Sequence, residues 1–325
     1  MKTTKVGLIS CCLVLLASGV FAEGRGRANV TGPYLGQKPP GMTAALFAPG
    51  VISTRYFEHS SPTVSPDGKE IFWSVQESDS FSNPNPIVFV ELENGAWTRP
   101  KMAPFVKKEY SYGNPFFSVD GRRIYFEAFL EAKRRESPAP WDIWYVERTA
   151  SGWSEQKKLP SPPNSGDLDG QPTVAANNSL YFSGACEKAD FGYSLYYSRF
   201  LNGRYQPPVL MDKRISSMHA DWTPYIAPDE SFFIFSSDRE GGFGNGDLYI
   251  AFKRPDGAWG DPINMGSKIN NDANERFPNV TPDGTYLFFN STRKIRGARP
   301  DEPGNGAGDV YWIDAKIIEQ LRPKE

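Results

Sequence analysis

Five side chains that could do chemistry recur at one position of this sequence, three residues before a proline. They are His59, Tyr112, Asp169, Asp221 and Glu275, which precede Pro62, Pro115, Pro172, Pro224 and Pro278. Three carboxylates and an imidazole brought together could bind a hard cation such as Ca²⁺ or supply the acid and base that cleave a glycoside. The simpler role is to cap turns by accepting backbone hydrogen bonds. The cation-binding and catalytic roles need a fold that repeats this position around a common centre.

Other catalytic patterns are absent from the sequence. It contains no phosphate-binding loop with Gly-Lys-Ser/Thr, no Gly-x-Ser-x-Gly and no His-Glu-x-x-His. It has only two histidines, His59 and His219, so a Ser-His-Asp triad would have to use one of them, and a His-rich metal centre is excluded. Whether the protein is an enzyme stays open at this point.

The prolines mark an internal repeat. Their spacings are 53, 57, 52 and 54 residues. Each proline is followed five residues later by Asp or Asn and then by an apolar run, for example Ile71-Phe72-Trp73 and Leu287-Phe288-Phe289. A strand, an Asp-Gly turn and a second strand are typical of a β-hairpin, because glycine tolerates the positive φ of a tight turn.

Two further strands per repeat complete a four-stranded antiparallel unit. Repeats of this length and content predict an all-β protein, a β-propeller, in which each blade is covered by its neighbours. We predict five blades, with six as the alternative count. The fifth repeat has no fourth strand of its own, and residues 46–53 match the pattern of the outer strand at residues 262–270. We therefore predict that an N-terminal strand completes the last blade and closes the ring.

The N-terminal segment resembles a secretion signal. Residues 1–5 are basic, residues 6–21 are almost wholly apolar, and small residues precede a cleavage site after Ala22. We expect a signal peptide at 1–22, a flexible Gly- and Pro-containing arm at 23–41, and a single propeller domain at 42–325 that ends in a short helix. No later run is long and apolar enough to span a membrane, so the mature chain is expected to be periplasmic or secreted.

Composition agrees with this architecture. Aromatic residues make up 14% of the chain, as suits pleated sheets. The formal net charge is −2, too close to neutral to draw the protein onto nucleic acid.

The fourth repeat carries a recognisable motif. Residues 235–249, FSSDREGGFGNGDLY, followed by GAWGDPINMG at 257–266, resemble the WD40-like repeat called PD40. This repeat occurs in the propeller of the periplasmic protein TolB and in many exported bacterial proteins. The resemblance covers about residues 45–312, and in the third repeat Asn177-Asn178 replaces Asp-Gly. It implies a propeller and, in many members, a protein-binding role, without assigning an activity.

These observations lead to two functional hypotheses. The first is an exported, non-catalytic propeller that binds an envelope protein or glycan on one face of the ring, through His59, Tyr112, Asp169, Asp221, Trp222 and Glu275. Trp222 is included because it follows Asp221 and could offer an aromatic platform at the channel rim. The alternative is a glycoside hydrolase or lyase that uses Asp169, Asp221 and Glu275. No cofactor is expected under either hypothesis, apart from a Ca²⁺ ion in the central channel.

Overall fold

Five antiparallel sheets are arranged around an axis in the computed structural model, which describes residues 30–76, 84–133, 140–165, 168–185 and 193–324. The prediction of an all-β, five-bladed propeller is confirmed. The predicted signal peptide lies outside the described residues.

The elements follow the repeat along the chain. A 3₁₀ turn at Pro33–Gly36 and strand β1 (Ala45–Leu46) precede the blades. Blade 1 contains β2 (Phe57–Glu58), β3 (Thr63–Val64), β4 (Glu70–Gln76), β5 (Ile87–Glu93), β6 (Ala96–Trp97) and β7 (Lys101–Met102). Blade 2 contains β8 (Tyr110–Phe117), β9 (Arg123–Leu130), a 3₁₀ turn (Glu131–Lys133), β10 (Asp142–Thr149), β11 (Gly152–Trp153) and β12 (Lys157–Lys158).

The remaining blades are built in the same way. Blade 3 and its side hairpin contain β13 (Asp169–Val174), β14 (Leu180–Ala185), β15 (Tyr193–Ser198), β16 (Phe200–Leu201), β17 (Arg204–Tyr205) and β18 (Val209–Leu210). Blade 4 contains β19 (Asp221–Ile226), β20 (Phe232–Ser237), β21 (Asp247–Phe252) and β22 (Ile263–Asn264). Blade 5 contains β23 (Glu275–Val280), β24 (Tyr286–Ser291) and β25 (Asp309–Asp314), and helix α1 (Lys316–Leu321) follows it.

The predicted hairpin turns join the first and second strands of the blades. Gly68, Gly121 and Gly284 follow the turn aspartates with φ of 70°, 68° and 70°. In blade 3 the same place is taken by Asn178 with φ 64°, which asparagine tolerates better than most residues. The Asn-Asn pair therefore makes the turn that Asp-Gly makes elsewhere.

The ring is closed by the N-terminal strand. β1 pairs with β25 in antiparallel register, with Ala45 opposite Trp312 and Leu46 opposite Tyr311. The Phe47 amide donates to the Val310 carbonyl at 2.8 Å, and the buried Phe47 ring lies 4.9 Å from that of Trp312. The predicted closure is confirmed, because the first strand of the chain is the outer strand of the last blade.

We call the junction where β1 closes the ring, between blades 5 and 1, the seam. The described part of the expected arm packs against it. The Trp97 amide donates to the Val30 carbonyl at 2.8 Å, and the Tyr34 hydroxyl donates to Asp283 at 2.9 Å. Leu35 is buried in the core shared by blades 1 and 5. In the described part of the arm expected at 23–41, the side chains of Val30, Tyr34 and Leu35 thus pack between two blades.

Aromatic side chains fill the spaces between blades. Phe72 of blade 1 stacks on Phe105, and Phe105 stacks on Phe126 of blade 2 at 5.4 Å. Such packing fixes each blade to the next and makes a rigid scaffold for the axis. Within the described ranges, no helix has the length and hydropathy needed to cross a bilayer.

Candidate functional site

Four of the five prolines that mark the repeat lie together at the axis of the ring. Pro115, Pro172, Pro224 and Pro278 line one narrow channel of about 30 Å³ together with Ser61. The residue before each of these four prolines has a positive φ of 48–54° and lies at a register shift of its strand; these residues are Asn114, Gln171, Thr223 and Phe277. The bulge turns their side chains to the channel. Sequence analysis selected a ring two positions earlier and missed this one.

The three predicted carboxylates cap their own loops. Asp169 and Asp221 each accept hydrogen bonds at 2.6 Å from the backbone amide four residues earlier, and Glu275 accepts one at 3.0 Å. All three are buried, with 0–4% exposure. None lines the narrow channel or the wider cavity above it. Their geometry is that of turn caps, the simplest of the roles considered for them.

Two arginines neutralise the caps of blades 4 and 5. Arg239 donates to Asp221 at 2.8 Å and to the carbonyls of Arg214 and Ile215 at 3.1 and 3.0 Å. Arg293 occupies the matching place beside Glu275, at 3.3 Å. These carboxylates are thus paired and hydrogen-bonded, as buried charges must be.

In blade 1 the cap is Glu58, and His59 is displaced by one position. Glu58 lies opposite Val75 in the second strand of blade 1, and Glu275 lies opposite Ser291 in the second strand of blade 5. Val75 and Ser291 are equivalent, because each is the fourth residue after the start of the matching strand segment, at Ile71 and Leu287. Glu58 accepts the Thr54 amide at 3.2 Å, again four residues earlier. His59 therefore lies one position after the cap rather than in the ring of caps, because blade 1 has three residues rather than two between its cap and its proline.

Tyr112 caps blade 2 with a phenol in place of an acid. Its hydroxyl accepts the Lys107 amide at 2.9 Å and donates to Gln156 at 2.7 Å. The side chain is fully buried, and burial raises its pKa above the usual range. Tyr112 is therefore held away from the solvent at the mouth of the ring.

The wider cavity lies above the channel on the side of blades 1–3. It has a volume of about 350 Å³, and its lining includes His59, Glu127, Trp141, Gln171 and Tyr193. Trp141 is half-buried, and its ring contacts Phe129 edge to face at 4.5 Å. Volumes of this size accommodate small ligands. Of the sequence-predicted site residues, His59 is the one that lines this cavity.

Glu127 is the acid of this cavity that sequence analysis missed. Its carboxylate accepts Asn114 Nδ2 at 2.5 Å and the Gln171 amide at 2.9 Å. Side chains at Gly113 or Gly170 would clash with it, so both glycines leave the space that it fills. Burial raises the pKa of Glu127 to about 7. The sequence did carry a signal for it, because Glu127 is an acid within an otherwise apolar strand, between Ile124–Phe126 and Ala128.

Trp222 lies outside this cavity. It pairs with Ser236 in the inner hairpin of blade 4 and packs against the backbone of Gly246. Its ring is half-buried. Trp222 therefore stands on the blade 4 side of the mouth, whereas Trp141 lines the cavity.

A second cavity, of about 550 Å³, lies at the opposite end of the inner strands. It is lined by the hairpin turns, among them Pro66, Val119 and Pro282, and by Arg322 after helix α1. Throughout the described ranges, no group of three or more His, Cys, Asp or Glu side chains is placed to hold a metal ion.

Comparison with known proteins finds solved structures with a similar arrangement of the chain. No protein-family model and no curated protein matches the sequence. The α-L-arabinofuranosidase from Lactobacillus brevis aligns with a TM-score of 0.50 at 15% identity, over 80% of this chain and 91% of that one. A protein assigned as TolB from Agrobacterium tumefaciens aligns with a TM-score of 0.48 at 14% identity, over 78% and 88%.

A second TolB, from Acinetobacter baumannii, aligns with a TM-score of 0.46 at 15% identity, over 78% of this chain and 53% of that one. This chain thus spans about half of the Acinetobacter protein. At these identities the likeness concerns the fold alone, and the five blades themselves are given by the sheets of this chain.

Proposed function

We propose that this protein is an exported, non-catalytic propeller that binds a glycan, with one sugar unit seated in the cavity lined by His59, Glu127 and Trp141. The observation that carries the proposal is this cavity of about 350 Å³ at the mouth of an otherwise narrow axis. It is at the lower end of the range of ligand pockets and suits a single ring better than a folded protein surface.

The lining supports a sugar. Trp141 and Tyr193 provide aromatic surface, and Asn85, Gln171 and Ser183 provide amide and hydroxyl groups. A sugar ring has apolar C–H faces and a rim of hydroxyls, so it needs both kinds of group at once. A rigid ring of blades holds these groups in place before the ligand arrives, which reduces the entropic cost of binding.

The alternative is a glycoside hydrolase or lyase, and one observation favours it. Glu127, with its raised pKa, has the protonation behaviour of a general acid at neutral pH. A glycosidase also needs a second carboxyl group about 5–9.5 Å away. Glu127 is the one acid among the described residues of the cavity lining, and Asp169, Asp221 and Glu275 cap loops. We therefore place binding before catalysis.

A glycan array followed by calorimetric titration tests the proposal. Trp141→Ala should weaken binding of the selected glycan at least about tenfold, which corresponds to 1.4 kcal/mol. Trp153→Ala is the matched control, because Trp153 lies in an outer strand against Phe117. Failure of every glycan to bind, or equal losses in the two variants, would refute the assignment. Release of reducing ends that Glu127→Gln abolishes would favour the hydrolase.

A further inference from the structure

Arg276 of blade 5 is a half-buried cation whose side chain has no partner among the described residues. Its guanidinium carbon lies 4.8 Å from the ring centre of Phe57 and 5.7 Å from that of Phe277. Within the described part of the chain this guanidinium forms no hydrogen bond and no ion pair, and its Nε is buried without an acceptor. Arg239 and Arg293, by contrast, are each bound to a carboxylate and to backbone carbonyls.

Arg276 directly follows Glu275, the cap of blade 5. In the other blades this position is taken by His59, Gly113, Gly170 and Trp222. Two of these residues, His59 and Gly170, line the cavity. Arg276 therefore belongs to the same ring of the mouth, on the blade 5 side.

Two phenylalanine rings connect Arg276 to the cavity wall. His59 lies 5.2 Å from Phe57 and 5.6 Å from Phe277, the same two rings that flank Arg276. Burial, and then the positive charge of Arg276, lower the pKa of His59 to about 4. His59 is thus neutral near pH 7, and Arg276 supplies the positive charge of this wall.

A guanidinium in this setting is arranged for an anion. Aromatic rings attract the positive charge of a guanidinium but satisfy none of its N–H donors, which stay available for an anion. Burial lowers the pKa of Arg276 to about 10, which indicates that the charge lacks compensation inside the protein. A carboxylate matches the guanidinium fork with two parallel hydrogen bonds.

We propose that the ligand is an acidic glycan, and that Arg276 binds the carboxylate of a uronic-acid-type sugar at the rim of the cavity. This rests on the proposed function, because the same site holds the sugar ring. The amide and hydroxyl groups of the lining favour a saccharide over a peptide C-terminus, which offers a carboxylate but few hydroxyls. Glu127, protonated over part of the neutral range, does not oppose an anion.

The test compares matched acidic and neutral sugars. Calorimetric titration uses oligogalacturonate and oligoglucuronate against the corresponding galactose and glucose oligomers, with wild type, Arg276→Gln, Arg276→Lys and the control Arg122→Gln. Arg122 is exposed in the turn of blade 2. We expect the acidic oligomers to bind at least about tenfold more tightly than the neutral ones. Arg276→Gln should abolish this preference, Arg276→Lys should keep part of it, and Arg122→Gln should keep all of it.

The possible results separate the two proposals. Neutral and acidic oligomers that bind equally, with no effect of Arg276→Gln, would overturn the acidic ligand and leave glycan binding intact. Failure of all sugars to bind would overturn both. A peptide C-terminus bound through Arg276, without any sugar binding, would also overturn the acidic glycan. Thermal unfolding checks that Arg276→Gln folds, and a midpoint within ~2 °C of wild type shows that the substitution leaves the propeller intact.

Discussion

Glu58 and Glu275 hold the same structural position in adjoining blades. Each is buried, and each accepts a hydrogen bond from the backbone amide four residues earlier, Thr54 in one case and Asn271 in the other. The two residues stand on either side of the seam where the chain ends meet. This equivalence identifies a ring of caps that supports the mouth, and it frees His59 to face the cavity.

Removal of a cap should destabilise the ring strongly. Asp221→Ala leaves Arg239, whose side chain is 16% exposed, without its carboxylate. We expect a loss of about 3–5 kcal/mol in the free energy of unfolding, measured by urea denaturation. Asp229→Ala, at an exposed turn, is the control and should cost less than about 1 kcal/mol. Similar small losses in both variants would contradict the capping role.

The seam should be less stable at high pH. Burial raises the pKa of Asp309 from 3.8 to about 6. The folded state therefore keeps a proton that the unfolded state releases, so stability falls as pH rises between these values and stays low above them. Asp309→Asn should raise the free energy of unfolding by about 1–3 kcal/mol at pH 8 and have little effect at pH 4.

The control for Asp309→Asn is Asp301→Asn, because Asp301 lies in the loop before Asp309 but is exposed. Denaturation of both variants at several pH values measures the difference. A gain at pH 8 that is equally large at pH 4 would show that the mechanism is not titration of Asp309.

Closure of the ring should depend on Phe47. Its ring is fully buried and lies 4.7 Å from that of Phe288 and 4.9 Å from that of Trp312. Phe47→Ala should cost about 3–5 kcal/mol, because it leaves a cavity in the seam. Leu201→Ala, at a 50% exposed position, should change little. A thermal midpoint for Phe47→Ala equal to that of the control would argue against closure by the N-terminal strand.

Glu127 and Gly170 should be energetically coupled. A methyl group at position 170 would clash with Glu127 Oε2. Gly170→Ala should therefore destabilise the protein and weaken ligand binding, whereas in a Glu127→Ala background the same change should have a smaller effect. A double-mutant cycle should give a coupling of about 1 kcal/mol or more. Additive effects would mean that the glycine does not make room for this carboxylate.

The amino-acid sequence alone determined the blades and their number. The prolines and the Asp-Gly turns recur at a nearly constant period, and each blade pairs strands that are neighbours in the chain. Such pairing depends on local turns and on alternation of side chains, which can be read from a short stretch of sequence. The closing strand was predictable as well, because one repeat lacked its outer strand.

The tertiary structure decided the site. Whether His59 or Glu58 is the cap depends on one extra residue before Pro62, which shifts every side chain to the other face of the strand. Glu127 fills the space left by Gly113 and Gly170, which belong to two different blades. Arg276 meets Phe57 across the seam, far away in the chain. These contacts arise only when the blades pack around the axis, because no local rule joins residues of separate repeats.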